Sequence, residues 1–124
     1  DELKELSNRM GAHSPVRQLE IEAGYWRKAN AIHSWFVEEV QNGVDDCGYY
    51  PVNRTQLIEL SNICNRILEN RELAEELLPT ASGFFFGSTE YDDWYFTEIE
   101  ETVKIIDAAL ALPDSWVFEY HSSW

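Results

Sequence analysis

The sequence predicts a mainly α-helical fold: a single compact domain of three main helices with a small β element. Three observations carry this. The chain has 124 residues, enough for one packed core and too few for two ordinary ones. Apolar residues recur at three- and four-residue steps over three long stretches. Alternating, strand-like runs are short and confined to residues 48–52, 84–86 and 116–120. An apolar fraction of 44% with 14% aromatic residues supports a folded core. The domain is expected to span residues 1–124, with 1–13 as an N-terminal arm.

The first helix is expected from "HSPVRQ". Ser14 suits an N-cap and Pro15 the first helical position. The helix then runs to about residue 41 and stops at Asn42 and Gly43. Ile21, Tyr25, Ala29, Ile32, Phe36 and Val40 share one face, flanked by Trp26 and Trp35. A loop rich in Gly, Asp and Asn follows, and Pro51 bars its extended piece from the middle of a sheet.

The second helix begins near Asn53 or Thr55. Leu57, Leu60, Cys64 and Ile67 form its apolar stripe, and a break near Asn70 precedes a short helix "RELAEELL" ending at Pro79. Gly83 and Gly87 bracket Phe84, Phe85 and Phe86. Their side chains must alternate in an extended chain, so at least one anchors in the core. Ser88 or Thr89 is expected to cap the third helix, with Thr89 and Asp92 as a capping box. Tyr95, Ile99, Val103, Ile106 and Leu110 make its stripe to about residue 112, where Pro113 ends it. Trp116, Phe118 and Tyr120 then alternate along an extended tail.

Charge is unevenly spread. The net is −14, and residues 72–124 hold twelve acids against one base, Lys104. A negative field on one side excludes phosphate-mediated nucleic-acid binding, which needs a basic stripe. It suits a basic protein surface, or serves solubility alone. No run approaches the roughly 20 apolar residues that span a bilayer. The charged start "DELKELSNRM" has no leader pattern, so a cytoplasmic location is expected. Two cysteines without CxxC spacing read as reduced thiols.

Candidate chemistry is sparse. His33, Asp45, Asp46 and Cys47 could form a metal or Cys–His site, but recognisable ligand spacing is missing, so no metal and no cofactor are expected. The simpler reading is a partly buried His33 bonded to its loop, meeting Asp46 in space, with Asp45 and Asp46 forming turns. Cys64 reads as packing. Cys47 is the more reactive thiol, with only Arg54 nearby to lower its pKa. Arg27 and Lys28 beside Trp26 could hold an anion, or pair with the surplus acids.

The phrases "YWRKANAIHSWFVEEVQNGVDDCGYY", "LAEELLPTASGFFFGSTEYDDWYF" and "YHSSW" resemble a family of small acidic proteins carried by bacteriophages and prophages. The resemblance covers about residues 11–124. It implies an accessory phage gene expressed in a bacterial cytoplasm and gives no activity to carry onto residues.

Three functions remain open on this basis. The first is a non-enzymatic inhibitor that occludes a basic, nucleic-acid-binding surface of a host protein. Glu90, Asp92, Asp93, Glu100 and Glu101 would steer it, and Phe84, Phe85, Phe86, Trp94 and Trp116 would anchor it. The second is a small enzyme or ligand-binding domain, with Trp26, Arg27, His33, Asp45, Asp46 and Cys47 near the 83–88 turn. The third is a self-associating accessory protein with a symmetric aromatic interface.

Overall fold

The computed structural model describes residues 20–27, 29–81 and 89–122. Its elements run α1 (Asn30–Glu39), β1 (Tyr50–Val52), α2 (Arg54–Glu69), a 3-10 turn (Arg71–Leu73), the one-turn α3 (Ala74–Leu77), α4 (Asp93–Leu110) and β2 (Phe118–Tyr120). The fold is mainly helical with a two-stranded antiparallel sheet. α2 and α4 pack along each other and form the body of the core.

The α2 helix starts where the sequence places it. Asn53 Oδ1 accepts the Gln56 amide at 2.8 Å, and Gln56 Oε1 accepts the Asn53 amide at 3.0 Å. This reciprocal box satisfies two backbone donors that the first turn leaves unpaired. Leu57, Leu60, Cys64 and Ile67 are buried along one face. Asn70 ends the helix and caps the 3-10 turn through the Glu72 amide at 3.2 Å.

The first helix is much shorter than its periodicity suggests. Residues 20–27 are not helical, and α1 begins only at Asn30. Ser14 and Pro15 lie outside the described residues. Ile21 and Tyr25, expected in the buried stripe, are exposed. Tertiary contacts explain the change. Trp26 Nε1 donates to Thr102 Oγ1 of α4 at 2.8 Å, and the Trp26 ring packs on Phe36 with centroids 5.6 Å apart. A Cβ placed on Gly24 would overlap Ile105 Cγ2, so the backbone there lies directly on α4. Only a glycine permits that approach. The end of α1 agrees with expectation: Asn42 and Gly43 take positive φ, and the Gly43 amide turns back to the Val37 carbonyl at 2.8 Å.

The cap of α4 is Asp92, whose Oδ1 accepts the Tyr95 amide at 3.1 Å. Thr89 is not the cap, because the helix begins only at Asp93; the Thr89 carbonyl accepts the Thr80 hydroxyl at 2.8 Å, and Ser88 lies outside the described residues. Asp93 alone adds acid to the first turn. At the other end Arg54 donates to the carbonyls of Leu110, Leu112 and Pro113 at 3.2, 3.0 and 2.9 Å. A cation on the last carbonyls favours the helix dipole and ends α4 at Leu110, slightly earlier than expected.

The sheet pairs Tyr50 with Tyr120, Pro51 with Glu119 and Val52 with Phe118. Pro51 has no N–H, so Pro51 and Glu119 form the pair without mutual hydrogen bonds. The N–H and C=O of Glu119 therefore point away from β1, to the outer edge of β2. The strand expected at 84–86 lies outside the described residues.

Candidate interaction surface

His33, singled out in the sequence, sits at the junction of three segments. Its ring is 3% exposed. Nε2 lies 3.0 Å from Asp45 Oδ1, and Nδ1 lies 2.6 Å from the Tyr120 hydroxyl. A carboxylate only accepts, so Nε2 donates to Asp45, and in the neutral ring Nδ1 then accepts from the Tyr120 hydroxyl. The partner is Asp45, not the expected Asp46. Asp46 instead accepts the Gly48 amide at 3.0 Å and the Tyr50 hydroxyl at 2.6 Å. These bonds, Tyr50 first, hold the Asp46 carboxyl below the usual carboxylate range and push the Tyr50 hydroxyl up.

The Asp45–His33–Tyr120 chain joins three segments through two side-chain bonds. Burial, and then the charge of Asp45, push the Tyr120 hydroxyl up. The Tyr120 ring stacks on Phe36 with centroids 3.9 Å apart, which fixes it further. The chain acts as a clamp joining α1, the 44–48 loop and β2.

Cys47 is half-buried, in a loop position of positive φ. Arg54, the one base considered for lowering its pKa, is held on the end of α4. Cys64 is fully buried, and burial pushes its thiol up to about 12. Among the described residues, no three His, Cys, Asp or Glu side chains converge as a metal requires. No helix among them is long and apolar enough to cross a membrane.

The acidic residues of α4 are placed as their spacing implies. Asp93, Glu100 and Asp107 follow at seven-residue steps on one exposed stripe, with Glu101 beside it. Lys104, the single Lys or Arg of residues 72–124, pairs with Glu101 at 3.3 Å. Trp94 is 51% exposed next to this stripe. Its ring borders a shallow notch shared with Thr80, Glu90, Asp92 and Glu98. Burial, and then the charge of Glu101, push the Glu98 carboxyl up. Trp116 is half-buried rather than exposed. Phe84, Phe85 and Phe86 lie outside the described residues.

A second surface was not foreseen. A cleft of about 630 Å³ opens between residues 21–27, the Ile105–Ile106 part of α4, and residues 117–122. Trp26, Arg27 and His33 line it, while Asp45, Asp46 and Cys47 do not. The proposed ligand set is therefore split between cleft and loop. Arg27, expected to pair with an acid, has no carboxylate partner among the described residues. Tyr25, Tyr49 and Val117 on the rim are 69%, 69% and 86% exposed. Tyr49 stacks on His121 with centroids 4.1 Å apart. The sequence signal for this site is the alternating, extended tail that carries Phe118 and Tyr120.

No family model, curated protein or solved structure matches this chain.

Proposed function

We propose that the protein is a non-enzymatic binding protein that occludes a basic surface on another protein. The observation that carries this is the exposed Trp94 beside the acidic stripe of α4. Trp is enriched among the few residues that dominate interfaces, and this one stands beside a run of acids. Surrounded by Glu90, Asp92 and Glu98, its ring suits a Lys or Arg side chain that would stack on it and pair with the acids. The remaining acids act at longer range. They raise the association rate, and the aromatic anchor lowers the dissociation rate.

The resemblance of the quoted phrases to phage and prophage proteins supports a bacterial host protein as the target. A nucleic-acid channel is the kind of basic surface such a face would block. The experiment is affinity capture from bacterial lysate at low and high salt, with wild type beside the variant Asp93→Lys, Glu100→Lys, Glu101→Lys. One basic protein, retained by wild type at low salt and lost by the variant, supports the reading. A protein captured equally by both, at both salts, refutes it.

A further inference from the structure

We infer that the outer edge of β2 is a receptor strand, and that the cleft beside it accepts an extended, basic and apolar segment of the partner. This rests on the reading above and says where part of that partner sits. Four observations lead to it.

First, β2 has only one neighbour among the described residues, and the Pro51–Glu119 pairing turns the Glu119 N–H and C=O outward. No described residue takes either group. Secondly, residues 117–122 line the cleft consecutively, and so do 21–27. Side chains of an extended chain alternate between faces, so a consecutive lining means each chain runs edge-on along the cleft. The main chain of 21–27 makes no hydrogen bond to a described residue. Thirdly, the three residues of β2 lie within a continuous wall of residues 117–122 along the cleft. Fourthly, the cleft presents Tyr25, Trp26 and Tyr49 as apolar walls, and its lining carries two acids, Glu22 and Glu119, against one base, Arg27, in a chain of net charge −14. Ser122 adds a hydroxyl, enclosed and without a hydrogen-bond partner, on the same wall. Backbone pairing gives such a site affinity, and alternate side-chain pockets give it preference. Lys or Arg would alternate with aromatic or aliphatic residues in the occupant.

The test uses random dodecapeptides selected by mRNA display against the full chain. Affinity is read by fluorescence anisotropy, and amide hydrogen exchange is followed at Glu119. Glu119→Pro removes the outward N–H and leaves the two hydrogen-bonded pairs of the sheet intact. Glu119→Ala removes only the carboxylate. Selected peptides should alternate apolar and basic residues, lose about tenfold or more in affinity to Glu119→Pro, and lose only about threefold to Glu119→Ala. Exchange at Glu119 should slow when peptide binds. Failure to enrich any peptide overturns the inference, as does equal binding to Glu119→Pro. A Glu119 amide already protected in the free protein also overturns it, because residues 1–19 or a second copy would then own the edge. If Glu119→Pro does not fold, exchange at Glu119 in wild type decides. The acidic-stripe variant separates the two readings. Slowed partner association without peptide binding sinks only the groove; peptide binding with unchanged partner association sinks only the acidic stripe.

Discussion

The Tyr120 hydroxyl meets His33 Nδ1 at 2.6 Å, although 87 positions separate the two residues. This bond ties the last strand to the first helix, and Asp45 on the opposite ring nitrogen ties in the loop between them. Tyr120→Phe removes one donor and leaves a buried ring nitrogen without it. It should cost about 1–2 kcal/mol in urea denaturation. His33→Ala removes both bonds and opens a cavity, and should cost about 2–4 kcal/mol. A neutral Tyr120→Phe would contradict the clamp.

Arg54 makes a comparable connection between the start of α2 and the residues that end α4. Its three bonds to the carbonyls after α4 rely on a planar fork of donors. Arg54→Ala should cost about 2 kcal/mol, and Arg54→Lys should recover less than half of that, because an ammonium cannot span three carbonyls. Thermal unfolding of both variants checks this.

Gly24 can be tested by rescue. Gly24→Ala drives a methyl into Ile105, and should cost about 1–3 kcal/mol while displacing residues 21–27 from α4. Adding Ile105→Ala removes the obstructing Cγ2, so the double variant should be less impaired than the sum of the singles. Additive losses would mean that the backbone does not lie on Ile105.

The Asp46–Tyr50 bond predicts a pH signature. Asp46 is depressed in the folded protein, so its contribution is present above the ordinary carboxylate pKa and is lost as pH falls through the depressed value. Tyr50 is raised by the same bond, so its contribution is present below the ordinary tyrosine pKa and is lost as pH rises through the raised value. Tyr50→Phe should return most of the Asp46 shift, leaving the part due to the Gly48 amide. An NMR titration of the Asp46 carboxyl carbon reads this directly, and no change in its midpoint would contradict the bond.

Much of this fold was legible because its signals were local. The Asn53–Gln56 box, the break at Asn70 and the stop at Asn42 and Gly43 each depend on residues within a few positions. The first helix misled because its apolar period continues through Ile21 and Tyr25, while the residues that hold 20–27 in place, Thr102 and Ile105, lie some 80 positions on. The cap of α4 misled because Thr89 and Asp92 are both good caps locally, and the helix begins at the second of them. The acidic stripe and Trp94 could be read from helical spacing. The cleft could not, since it forms only where β2 and residues 21–27 converge.

The most direct test of the central claim is the association rate of a captured, verified partner with wild type and with Asp93→Lys, Glu100→Lys, Glu101→Lys, measured across a salt series. The rate should fall about tenfold or more at low salt, converge with wild type at high salt, and leave the dissociation rate nearly unchanged. An association rate that does not change on reversing the stripe would contradict it.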